Sequence, residues 1–266
     1  MKTLHLSLLP LLGVAAACGG DSIGGTNTGN ALVSIRMGAT QGPPQALSQV
    51  SGNDAQGTAF VITAARAYIR DIRFSLPVGT TCETLDAELA APVVCEDDAI
   101  EIQRKLVVDL LADTAPAELE GIELPPLDYR RVDVRFDDAD DATDPVPTTD
   151  PLWDNTLVAQ GTFAYQATTY PFELVLSFDE DARFEQPSSL GLAAGKAADV
   201  LLALDVEKWF AAIPITACLD DGDLAITGGK LILQDSEGSC GEIEDAIKNA
   251  IKGSAELERE DEEEDD

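Results

Sequence analysis

The chain has 266 residues, with 17 Lys and Arg against 49 Asp and Glu and a net charge of −32. Charge of that sign and size excludes nucleic acid and anionic headgroups as electrostatic partners, because both need a basic footprint; it attracts cations instead. A hydrophobic fraction of 45% separates the sequence from disordered acidic chains, and its length suits one large β domain or two small ones.

Residues 1–17 carry a basic start at Lys2, an apolar run over 4–14 and three alanines before Cys18. This order predicts a secretory signal. Ala15-Ala16-Ala17-Cys18-Gly19 resembles a lipobox, in which the thiol is alkylated with diacylglycerol, the chain is then cut just before it, and a palmitate-type acyl chain is carried by the new N-terminus. An ordinary signal-peptidase site is the alternative, and Cys18 would then be a free thiol. Cysteine parity favours lipidation. Of the five cysteines, Cys82, Cys95, Cys218 and Cys240 make an even set once Cys18 is set aside. Pairing of sequence neighbours is the simplest of their three connectivities. Cleavage removes Lys2 and His5 and leaves 16 basic against 49 acidic residues. Gly19 lacks the aspartate that favours inner-membrane retention, so the expected location is the outer membrane of a bacterial envelope.

Residues 18–30 (CGGDSIGGTNTGN) read as a lipidated cysteine and flexible tether. Residues 31–253 are expected to form one domain. Partly alternating apolar residues predict strands at 31–37, 59–76, 106–110, 129–136, 156–165, 170–178, 200–204 and 230–233, with turn-rich stretches between them. In the second of these, Tyr68, Ile72, Phe74 and Leu76 are expected on one face, interrupted by Arg70. The clearest hairpin runs over 156–178. Many short strands of this kind predict an all-β fold, an antiparallel β-sandwich. Residues 242–252 place Ile243, Ala246, Ile247, Ala250 and Ile251 on one face, with Lys248 and Lys252 late and Gly253 after them; this predicts a short C-terminal amphipathic helix. Residues 254–266 are expected to be an acidic, disordered tail.

Chemistry is limited by what is missing. The only histidine is in the signal segment, which excludes Ser-His and Cys-His dyads and His-containing metal sites from the processed chain. No phosphate loop, dinucleotide fingerprint or CxxC is present. Carboxylates remain. Asp137, Asp138, Asp140, Asp141 and Asp144 crowd the end of a strand, and oxygen ligands on an irregular loop are what calcium uses. The spacing is not an EF-hand, and a solvated acidic loop is the alternative. A carboxylate-pair glycoside hydrolase is a further reading, with Trp153 and Trp209 as sugar platforms or, instead, core residues. Arg130 and Arg131, with Arg135, suggest an anion site or simple charge balance against nearby aspartates.

Residues 106–111 (LVVDLL) and 124–135 (LPPLDYRRVDVR) resemble uncharacterised bacterial envelope lipoproteins with a prealbumin-like (transthyretin-like) β-sandwich, where a VDLL strand leads to a P-x-x-Y turn and a further strand. The resemblance covers residues 31–136, with Asp128 where the family usually has glycine. It implies a sandwich fold and a lipidated envelope location, and it brings no catalytic residues. Together these readings predict a non-catalytic binding or structural module, held to the membrane by its N-terminal lipid and facing an envelope protein or glycan. Calcium-dependent adhesion or carbohydrate binding is the alternative.

Overall fold

A computed structural model describes residues 29–40, 49–85, 89–112, 114–185, 189–235 and 238–260. The signal segment 1–17, Cys18, residues 19–28 of the tether and the final acids 261–266 lie outside the described residues. Among those described, no helix is long and apolar enough to cross a membrane.

The protein is mostly β. One sheet has four strands: β1 (Ala31–Thr40), β6 (Ile122–Leu124), β13 (Ala197–Asp205) and β16 (Ala255–Glu260), in the order β16-β13-β1-β6. A ten-stranded sheet holds β2 (Val50–Asn53), β3 (Ala59–Ser75), β4 (Val93–Glu96), β5 (Ala99–Asp109) and β8 (Val132–Phe136). It continues through β9 (Leu157–Tyr165), β10 (Thr168–Leu176), β11 (Glu180–Phe184), β14 (Ile226–Thr227) and β15 (Lys230–Leu233). A minor pair joins β7 (Asp128–Tyr129) to β12 (Leu190–Gly191). Both large sheets are mixed, which corrects the purely antiparallel expectation: β1 runs parallel to β13, and β10 parallel to β15. Periodicity reports which face is buried and carries no information on strand direction.

The central strand is β3. It pairs with β2 and then β5 on one side, and with β9 and then β8 on the other. Its register shifts between Ile62 and Ala64 and again between Ile69 and Asp71. Each irregularity moves the following side chains to the opposite face. The buried core series therefore reads Phe60 and Ile62, then Ala65, Ala67 and Ile69, then Ile72 and Phe74. Tyr68 does not share a face with Ile72 and Phe74 as strict alternation predicts; it belongs to a second cluster on the outer face.

The two large sheets contribute to one continuous core, with Val33, Ile35, Val200, Leu202 and Leu257 facing residues such as Ile69, Phe74 and Val134. Backbone bonds link the sheets at two places, from Ala39 N to Leu110 O (2.6 Å) and from Leu257 N to Glu185 O (3.3 Å). The expected hairpin is present as β9 and β10, closed by Gln166 and Ala167, both at positive φ as a tight two-residue turn requires. The buried Tyr129 hydroxyl donates to the Pro125 carbonyl at 2.9 Å, a tyrosine corner at the P-x-x-Y segment.

Among the described residues there are three α-helices rather than one: α1 (Glu207–Ala211), α2 (Ile215–Asp221) and α3 (Ile243–Lys252). In α3 the buried residues are Ile243, Ile247 and Ile251; of the two alanines expected on the same face, Ala246 is exposed and Ala250 is half-buried, so the buried stripe is narrower than the spacing predicts. It does not end the fold. The chain continues into β16, antiparallel to β13, so residues 255–260 form a strand where a disordered tail over 254–266 is expected from the sequence; 261–266 lie outside the described residues. Cys82 pairs with Cys95 and Cys218 with Cys240, at Cα separations of 5.5 and 6.1 Å. Trp209 is fully buried.

Candidate functional site

The outer face of the ten-stranded sheet divides into two halves. One is covered by the acidic loop between β8 and β9. There Ala139, Val146 and Leu152 pack down on Tyr68 and Val158, with Val107, Trp153 and Val175 partly buried around them. Burial of these apolar groups is what makes the loop settle on the sheet.

The aspartates of this loop do not share a vertex. Asp137 pairs with Arg70 at 2.7 Å. Asp138 accepts from Ser177 at 2.6 Å and lies 2.5 Å from the Thr156 hydroxyl. Asp140 is exposed. Asp141 accepts the backbone and hydroxyl of Thr143 at 2.9 and 3.0 Å. Asp144 takes Lys105 at 2.8 Å and the Asp141 N–H at 2.9 Å, with Tyr68 near enough to influence its protonation. Among the described residues, no group of three or more His, Cys, Asp or Glu side chains is placed to hold a metal ion. The loop's carboxylates instead answer basic groups rising from the sheet beneath. The strongest link is one that sequence reading passed over: Asp150 binds Arg66 through two bonds of 3.0 and 2.7 Å.

Protonation follows from these contacts. Burial raises the Asp144 carboxyl pKa, but the bonds from Lys105 and Asp141, with the influence of Tyr68, outweigh it and hold the value below the ordinary 3.8. Asp150 is lowered chiefly by its Arg66 bond. Tyr68 is pushed up by burial and by Asp144.

The other half of the face is open and charged. Cross-strand register places Glu101, Arg73, Asp133 and Arg183 in one row, and Gln103, Asp71, Arg135 and Asp181 in the next. Signs alternate along each row, as stable cross-strand neighbours require. Arg73 reaches Glu101 at 3.5 Å, Asp133 takes Arg131 at 2.8 Å and Arg183 at 3.3 Å, and Arg135 is paired with Asp179 and Asp181. Burial and the nearby Glu101 raise the Asp71 carboxyl. Charge balance thus accounts for Arg131 and Arg135 among the arginines singled out from the sequence.

At the end of the first row, with Arg73, Asp133 and Arg183 in its lining, the face deepens into a cleft of about 540 Å³, walled also by the β4–β5 turn, the β7–β8 junction and β11. Its charged lining is Arg73, Arg130, Arg131 and Arg183 with Asp97, Asp98, Asp133 and Asp181. Arg130 differs from its neighbours: its Nε donates to the Leu76 carbonyl at 2.8 Å, and no described carboxylate pairs with it. The sequence held a signal for this, since Arg130 and Arg131 are adjacent in an acidic chain; the contributions of Arg73 and Arg183 depend on strand pairing and were not readable.

Comparisons with protein-family models, with curated proteins and with solved structures find no match to the chain.

Proposed function

We propose that the protein is a lipid-anchored, non-catalytic binding or structural module of a bacterial cell envelope, exported through residues 1–17 and acylated at Cys18. The observation that carries this is cysteine partition. Cys82–Cys95 and Cys218–Cys240 are joined, leaving Cys18 as the odd cysteine, directly after three alanines and an apolar run. Two disulfides suit an oxidising compartment, and a single remaining cysteine at a lipobox suits acylation.

In this reading the two large sheets are the layers of a β-sandwich, related to prealbumin-like envelope lipoproteins. Support comes from the shared core and from the tyrosine corner at the P-x-x-Y segment. The lipid holds the module at the outer membrane, and its open sheet face and end loops are available to an envelope partner or glycan. Metabolic labelling with radioactive palmitate in a bacterial host tests the anchor. Label in the full chain and none in Cys18→Ser is the expected result; equal label in both overturns it.

A further inference from the structure

We propose that the arginine-walled cleft is a binding site for an oxyanion (phosphate, sulfate or carboxylate) carried by a small polar molecule. The proposal rests on the binding-module reading for its biological setting, but its test does not involve the lipid. Of the ten arginines in the chain, Arg73, Arg130, Arg131 and Arg183 line this one cavity. Each makes its protein contacts through Nε: Arg73 to Glu101, Arg130 to the Leu76 carbonyl, Arg131 and Arg183 to Asp133. Among the described residues, no protein acceptor is therefore within hydrogen-bond range of the terminal amino groups of these four. A guanidinium anchored at Nε keeps its terminal donors free for the oxygens of an oxyanion, the geometry for which arginine is suited.

Charge balance on the sheet explains three of the four. It does not explain Arg130, which lies beyond the alternating rows and is fixed by a carbonyl instead of a carboxylate. Asp97 and Asp98 also line the cleft, at positive φ in the β4–β5 turn, and among the described residues neither is in an ion pair. They repel a polyanion, and they offer acceptors to a hydroxyl or ammonium group on the same ligand. The cleft is therefore suited to a small molecule with an oxyanion beside a hydrogen-bond donor.

The test uses the full chain with its disulfides formed. Inorganic phosphate replaces chloride at constant ionic strength, and the arginine Nε–Hε resonances are followed by NMR. Saturable shifts confined to Arg73, Arg130, Arg131 and Arg183 are expected. Arg130→Gln should weaken phosphate binding by about tenfold or more while leaving the melting temperature unchanged, because a charged hydrogen bond to the ligand is lost from an exposed side chain. Arg104→Gln, exposed on β5 outside the cleft, should change nothing. Shifts that stay linear and are shared by all arginines overturn the proposal, as does saturable binding that Arg130→Gln leaves intact.

Discussion

Gly161 sits in β9 opposite Ile62, at the first register shift of β3. A Cβ there would lie 1.9 Å from the Val61 carbonyl oxygen and 2.8 Å from the Phe172 ring. Close approach of two backbones, not an unusual dihedral, is what demands glycine. Gly161→Ala should therefore cost about 2–3 kcal/mol, the scale of core overpacking, measured by urea unfolding. An unchanged midpoint would mean that the strands are not in this register. Arg66 and Asp150 give a second test at the same scale. The pair is partly exposed, so Asp150→Asn should cost only up to about 1 kcal/mol at pH 7. The Asp150 carboxyl is lowered in the fold by Arg66, so its contribution is present above the ordinary value of 3.8 and fades as pH falls through the lowered one. Acid titration of stability should show wild type and Asp150→Asn converging below pH 4; a constant gap down to that range would remove the ion pair from the account. At this scale the sequence was partly legible. Arg70 stands out as a break in the alternation of β3, but the partners that make it a latch, Asp137 on a distant loop above all, depend on the fold.

The long strands β1, β3, β9, β10 and β13 announce themselves through runs of apolar alternation, and α3 through its isoleucine stripe. The short strands do not. β7, β12 and β14 have two residues each and β6 three, too few to carry a period, and they exist only because a longer neighbour offers backbone groups to pair with. β16 misled for another reason: Glu256, Glu258 and Glu260 share a stretch with seven further acids or bases, and the inward pair Ala255 and Leu257 is easily lost among them. A chain ended after Gly253 should therefore melt several degrees below one ended after Glu260, because it strips the β13 edge and removes buried Leu257. Equal melting temperatures would show β16 to be dispensable. The short α2 is held from outside by Asp54, which is only 3% exposed and accepts from the Thr216 N–H at 2.8 Å and its hydroxyl at 2.5 Å. Its other oxygen closes the β2–β3 turn on Gln56 and Thr58. Asp54→Ala should cost about 2 kcal/mol, since a cap is lost and several partly buried donors lose their shared acceptor at once. Thermal unfolding checks this, and a loss under half that size would contradict the role.

For the whole molecule, the mostly β character was legible because strand spacing is a local property of sequence, while sheet direction, the corner bonds at Ala39 and Leu257 and the division of the outer face are set by contacts between distant segments. The same distinction governs the two candidate sites. Aspartates close in sequence on the loop are held by different partners, while Arg73, the adjacent Arg130 and Arg131, and Arg183 come from three distant segments to line one cleft. What ties the molecule to a membrane in this account is the partition of five cysteines into two bridges and one lipidated end. Intact mass spectrometry of the full chain, expressed in a bacterial host and extracted from its membranes, reads that partition directly. The account predicts loss of residues 1–17, added mass of a diacylglycerol-type group on the fragment that begins at Cys18, and the hydrogen deficit of two disulfides. A chain cut elsewhere, or cut before Cys18 with no added lipid, would contradict it.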